Sequence, residues 1–231
     1  GIRDVESSRG LGDVYKRQLY HRGKALTEML VRRAEDAGFR AIVLTIDTPV
    51  PSPKERDLRN RYERKLELGN FRDLNLPSNE ISGTDETPGW DVSRADPITW
   101  NDVEWLRSLT SLPLVLKGIR VGEDARLAME HGCEGVLVST HGGRQLDQTL
   151  SSIETVPEVV EAVNGKCEVY LDSGVRRGSD VLKALALGVK AVGIGRPLFW
   201  GLATQGEDGV HAVLELLREE VGHWVDRKIS R

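Results

Sequence analysis

Cysteine, methionine and aromatic residues are all scarce in this sequence: two Cys, two Met, and 5% Phe, Trp and Tyr in 231 residues. Cys133 and Cys167 form no CxxC pair and sit in no His/Cys cluster. Neither a zinc site nor a disulfide framework is expected, and a reducing cytosol fits. Charge of one sign is equally scarce. A formal net charge of −4 disfavours broad electrostatic binding to nucleic acid or an anionic membrane. No apolar run approaches the roughly 20 residues of a membrane helix, and no secretory signal pattern opens the chain. What is present, 39% apolar and 29% charged residues, suits one globular domain with a single core rather than a disordered chain.

Residues 1–17 carry neither helical nor strand periodicity and read as a polar leader that need not be native. Residues 225–231 are expected to fray after extending a helix. Between them, three segments stack without gaps: Ala37–Thr45, His131–Ser139 and Leu187–Gly195. Each has a glycine where a helix should stop, then a short apolar, largely β-branched run. Glycine after a helix suits the left-handed cap, and a continuously apolar strand suits a parallel sheet buried on both faces. The helix over 25–37 places Leu26, Met29, Leu30, Arg33, Ala34 and Ala37 at helical spacing. For the helix over 179–187, Ser179 is the expected N-cap, with Asp180 meeting the helix dipole.

Strands are expected near 41, 114, 135, 169 and 191, with a short further one at Gln18–Tyr20. Residues 49–98 form a long polar stretch that reads as a lid-like loop. Polar residues stand where each strand ends: Thr45 and Asp47, Lys117, Ser139 and His141, Asp172, and Gly195 with Arg196. Chemistry at the C-terminal ends of successive parallel strands is the layout of a (β/α)8 TIM barrel, an α/β fold. A doubly wound sheet would concentrate it at one switch point. A full barrel needs about 250 residues, so the domain at 18–224 is expected to hold strands 3–8 and to lack about the first two βα units.

Three constellations carry chemistry. Asp172-Ser-Gly174-Val-Arg176-Arg-Gly178 follows one strand and opens a helix, and Gly195-Arg196-Pro197 follows the next. Free backbone N–H groups, a helix N-terminus and arginine forks together suit a phosphate. The bland alternative makes the glycines turn formers and the arginines solvated. Ser139-Thr140-His141-Gly-Gly-Arg144 offers a histidine base with open access and an arginine for a carboxylate, with Asp47 able to orient the imidazole. His131, by contrast, ends a helix, where a dipole contact explains it. Lys117 closes its strand and would supply a Schiff-base amine, a fixed positive charge or a snorkelling side chain.

Taken together, STHGGRQLD, LDSGVRRGSDVLKALALG, GIGRP, LPLVLKG and AIVLTIDTP resemble the FMN-dependent L-2-hydroxy acid oxidase and dehydrogenase family, across about residues 18–220. The resemblance implies oxidation of an L-2-hydroxy acid, lactate- or glycolate-like, to the 2-oxo acid. FMN would be the cofactor, and oxygen or another acceptor would take the electrons. It implies His141 as base with Asp47 orienting it. Tyr20, Arg144 and Lys54 would be substrate contacts. Gln18, Thr45, Lys117, Ser139, Asp172, Gly174, Arg176, Gly195 and Arg196 would be FMN contacts, the last five at the phosphate. Hydride transfer and carbanion formation both fit these residues. A homo-oligomer is implied, with no metal. A eukaryotic source would make the address peroxisomal or mitochondrial rather than cytoplasmic.

Four departures accompany the resemblance. Thr140 stands beside the base where the family's SNHGGR has asparagine. Lys54 stands where a second substrate arginine is expected and lacks its bidentate fork. Lys16-Arg17 replaces an expected Trp-Phe. The first two strands are not visible. The alternatives are a non-catalytic fragment of such an enzyme, another FMN barrel such as an isomerase or nucleotide dehydrogenase, and a Schiff-base aldolase on Lys117.

Overall fold

Each of the three stacked glycines ends its helix in the left-handed region, with φ of +77° at Gly38, +79° at Gly132 and +99° at Gly188. A side chain there would clash with its own backbone, so glycine turns the chain from helix to strand at little cost. These turns recur through a computed structural model that describes residues 12–13, 24–48, 55–62 and 98–226.

Among the described residues there are six strands: β1 (Gly12–Asp13), β2 (Ile42–Thr45), β3 (Leu114–Ile119), β4 (Gly135–Val138), β5 (Glu168–Leu171) and β6 (Ala191–Val192). Every pair is parallel, and the order across the sheet is β1-β2-β3-β4-β5-β6. A sheet whose spatial order equals its chain order has no switch point. That order excludes the doubly wound alternative and is the order of a TIM barrel.

The helices are α1 (Lys24–Asp36), α2 (Glu55–Arg59), α3 (Trp100–Leu109), α4 (Gly122–Glu130), α5 (Ser152–Val163), α6 (Gly178–Ala186) and α7 (Arg196–Asp226), the last broken at Gln205 and Gly206. Val103 and Leu106 of α3, Ala125 and Ala128 of α4, and Val156, Val159 and Val163 of α5 are buried. They form one cluster with Leu114, Leu116, Val136, Val138 and Leu171 of the strands. Sheet and helices thus share a core on the outer face of the strands, leaving their C-terminal ends free for polar side chains.

The structure adds detail to some expectations and corrects those for α1 and Ser179. Two residues of the expected polar leader, Gly12 and Asp13, pair with Ile42 and Val43. Backbone pairing needs no side-chain periodicity, so the pattern gave no sign of it. The buried face of α1 centres on Thr27 and Val31, while Arg33 and Ala37 are exposed. Ser179 is not the N-cap. Helix α6 begins at Gly178, and the Asp180 carboxylate reaches back to accept from the N–H groups of Arg176 and Arg177, both at 3.0 Å. The expected loop 49–98 contains the helix α2, braced by an Arg59–Glu55 pair at 2.8 Å. The expected strand at Gln18–Tyr20 lies outside the described residues.

Candidate active site

The C-terminal ends of β2 to β5 bring together residues scattered over more than a hundred positions. Asp47 stands two residues past β2, Lys117 near the end of β3, His141 three past β4 and Asp172 one past β5. Nδ1 of His141 lies 3.0 Å from Asp47 Oδ1. An ionised carboxylate only accepts, so Nδ1 carries the proton and donates it, which leaves Nε2 as the free basic nitrogen.

Lys117 is 5% exposed. Its Nζ lies 3.8 Å from Asp47 Oδ2 and 3.7 Å from Asp172 Oδ2. It donates a hydrogen bond to Ser139 Oγ at 3.2 Å. One buried ammonium therefore balances two carboxylates, and removing it would leave both uncompensated. An ammonium has three donors. Ser139 is the one hydrogen-bond acceptor for it among the described residues.

Local backbone makes this approach feasible. Gly118 has φ +113°, and a Cβ there would fall 2.5 Å from the Asp47 Cβ. Glycine is therefore required for β3 to pass this close to the carboxylate that orients His141. The turn His141–Gly143 is left-handed at all three residues, with φ of +53°, +68° and +72°.

The two arginine loops differ in detail. Arg196 Nη2 donates to the Gly142 carbonyl at 2.8 Å. The Arg176 guanidinium lies 4.9 Å from the Trp200 ring centroid, a cation–π contact. Arg144 follows the His141 turn and is exposed, without a partner among the described residues. Gly174 has φ +87°, and neither it nor Gly195 has an atom within 4 Å of where a Cβ would stand.

An FMN fits this donor set. The buried hydroxyl of Thr45 and Oδ2 of Asp47 have no hydrogen-bond partner among the described residues. Buried polar atoms are normally paired, so these two, with the remaining Lys117 donors, suit the polar edge of a bound ring. The open space beside Gly174 and Gly195, flanked by Arg176 and Arg196, suits a phosphate.

The structure brings Asp47, His141, Lys117, Ser139 and Asp172 together; of these contacts the sequence reading named that of Asp47 with His141, and it put Asp172 at the phosphate rather than beside Lys117. Tyr20, Gln18 and Lys54 lie outside the described residues. Ser173 was missed as a site residue, although a hydroxyl between Asp172 and Gly174 was visible. Gly118 was missed as well; its signal was its place directly after Lys117. His131 is structural: it stacks on Trp100 at 4.9 Å between ring centroids and pairs with Glu104 at 2.8 Å.

Comparison with known proteins gives concordant matches. A family model described as FMN-dependent dehydrogenase matches residues 2–225. The 2-hydroxyacid oxidase 1 of Homo sapiens is 52% identical over 210 residues, covering 88% of this chain and 57% of its own length. An L-lactate oxidase of a Nostoc species is 48% identical over 211 residues, with the same coverage of 88% and 57%. A crystal structure of mandelate oxidase with (S)-2-phenylpropionate superposes with a TM-score of 0.72 at 46% identity, covering 87% of this chain and 55% of that one. The chain spans little more than half the length of these relatives.

Proposed function

The chain belongs to the FMN-dependent dehydrogenase family, and from that premise we propose that the protein oxidises a small L-2-hydroxy acid, lactate- or glycolate-like, to the 2-oxo acid. Two protons and two electrons leave the substrate. FMN supplies the two-electron acceptor chemistry when bound, and oxygen or another oxidant completes the cycle. The single observation that carries the reading is the His141 Nδ1–Asp47 Oδ1 contact of 3.0 Å.

In this reading Nε2 of His141 accepts a proton from the substrate. Asp47 keeps the ring in the tautomer that leaves Nε2 basic, and its charge stabilises the imidazolium that forms. Arg144 grips the substrate carboxylate through its planar fork. Tyr20 and Lys54 are further substrate contacts in the same proposal. Lys117 would supply a fixed positive charge to offset the negative charge the cofactor gains on reduction. Thr45, Ser139 and Gln18 would contact the ring, and Gly174, Arg176, Gly195 and Arg196 would hold the ribityl phosphate; Asp172, whose two oxygens face Lys117 and the Ser173 hydroxyl, would support that loop rather than touch the anion. The names of the relatives, 2-hydroxyacid oxidase and L-lactate oxidase, support the substrate class. A Schiff-base role for Lys117 is disfavoured because its buried Nζ is already engaged by Asp47, Asp172 and the Ser139 hydroxyl.

The test is an absorbance scan of the 231-residue chain after incubation with FMN and desalting, followed by anaerobic L-lactate, glycolate or D-lactate. The expected result is a retained flavin band near ~450 nm that bleaches with an L-2-hydroxy acid and not with D-lactate. Retained flavin with no bleaching by L-lactate or glycolate would overturn the substrate assignment.

A further inference from the structure

We propose that Ser173 is a positioning residue for His141, locking the turn that carries the base to the loop after β5. The inference rests on the reading of His141 as the base. It concerns a residue that no resemblance or motif assigned.

The turn at His141 is under-determined by its own backbone. Three successive left-handed residues, one of them a histidine, form a conformation that persists only when its surroundings hold it. Within the turn, the Gly143 N–H donates to the Thr140 carbonyl at 2.9 Å. The other amides end on side-chain hydroxyls. The His141 N–H donates to Ser139 Oγ at 3.0 Å. The Thr140 and Gly142 N–H groups both donate to Ser173 Oγ, at 3.2 Å and 2.9 Å.

Ser173 uses everything a hydroxyl has. Its O–H donates to Asp172 Oδ1 at 2.8 Å, an acceptor-only group when ionised. That bond fixes the rotor and turns both lone pairs toward the amides on either side of His141. Asp172 is itself held, its Oδ2 being 3.7 Å from Lys117 Nζ. The chain of contacts therefore runs from the buried ammonium through Asp172 and Ser173 to the backbone flanking the base.

The backbone of Ser173 supports a functional reason for the hydroxyl. Its φ is +70°, a value that glycine adopts freely and serine does not. A serine here accepts strain that a glycine would relieve, and the return is the three-bond hydroxyl. Arg196 adds a second tether from the loop after β6, at the Gly142 carbonyl. The turn is thus gripped by both loops assigned to the phosphate.

Two substitutions separate hydroxyl from backbone. Ser173→Ala deletes the hydroxyl and keeps the strain, while Ser173→Gly deletes the hydroxyl and relieves it. The first readout is the 15N ring spectrum of His141 in the FMN-free full chain, assigned by its loss in His141→Asn. The second is kcat against KM for L-lactate in the FMN-loaded chain. We expect both variants to broaden or split the Nδ1–H resonance. Both should lower kcat roughly ten- to hundredfold, with KM held within about twofold. If Ser173→Gly keeps the wild-type ring spectrum and kcat, the residue merely fits the bend and the proposal is overturned. Should Ser173→Ala fail to fold, Ser173→Gly alone decides. If the wild-type chain oxidises no hydroxy acid, the activity reading fails, and the ring spectra still decide the role of Ser173.

Discussion

At the scale of single residues, the site depends on close approach as much as on charge. Gly118→Ala puts a methyl group where Asp47 now stands. It should push the carboxylate off His141 and lower kcat roughly ten- to hundredfold. A steady-state assay beside a melting curve checks this, since a purely structural lesion would move the melting temperature alone. Lys117→Met removes the one ammonium between Asp47 and Asp172. Breaking such a buried network by deleting one partner costs about 3–5 kcal/mol, to be read from urea denaturation. The cysteines make a quieter prediction. Burial pushes the Cys133 thiol up to about 12 and the Cys167 thiol up to about 11. Both should stay protonated at pH 8 and react with DTNB only as fast as the chain opens. Folding holds these thiols neutral, so their contribution is intact below the unfolded value of 9.0 and is lost as pH rises toward 11 and 12. Alkaline unfolding monitored by circular dichroism should therefore be delayed in the Cys133→Ser, Cys167→Ser double variant relative to its own neutral stability.

At the scale of elements, helix ends and one packed strand decide most of the order. The start of α5 is fixed by Glu154, whose Oε2 accepts from the Ser151 N–H at 2.9 Å and its hydroxyl at 2.5 Å. The Ser151 hydroxyl, and then its N–H, hold the Glu154 carboxyl below its usual range. A lowered carboxylate stabilises the fold above its unfolded value and loses that contribution as pH falls through its folded one. Glu154→Gln should therefore flatten the acid side of the stability–pH curve and leave its alkaline side unchanged, as measured by urea midpoints between pH 3 and pH 8. In β3, Leu116 is fully buried. Leu116→Ala should cost about 2–5 kcal/mol through lost burial and a residual cavity, with the urea midpoint as readout. The strands β2 to β5 were legible in sequence because strands covered on both faces read as continuous apolar runs. The face of α1 was less legible. Val31 is fully buried, whereas spacing alone favoured a neighbouring stripe, because a short helix offers several faces and packing chooses among them. Ser179 was misread for a related reason. A cap is defined by which side chain reaches the free amides, and Asp180 reaches them from inside the helix.

At the scale of the whole molecule, the barrel order places four strand ends around one mouth. If that mouth takes FMN, the cofactor binds the folded state alone and should raise its stability by about 2.7 kcal/mol at a hundredfold excess over Kd. Riboflavin lacks the phosphate and so cannot use Arg176, Arg196 or the Gly174 loop. It should shift the melting temperature much less. Equal shifts by both ligands would contradict the phosphate assignment, and a thermal scan at matched concentrations settles it.

The sequence by itself determined the parallel α/β class, the strand-end placement of Asp47, Lys117, His141 and Asp172, and the two arginine loops. These follow from short-range signals: apolar run length, glycine after helices, and polar residues at fixed offsets from strands. Only the tertiary structure decided the geometry of the expected contact, Nδ1 of His141 at 3.0 Å from Asp47 Oδ1 across 94 positions. The sharing of Lys117 between two carboxylates and the convergence of Ser173 on the His141 turn were likewise decided there. The physical reason is that a side chain's partner is set by strand register and loop closure between distant segments. Local pattern carries no record of either.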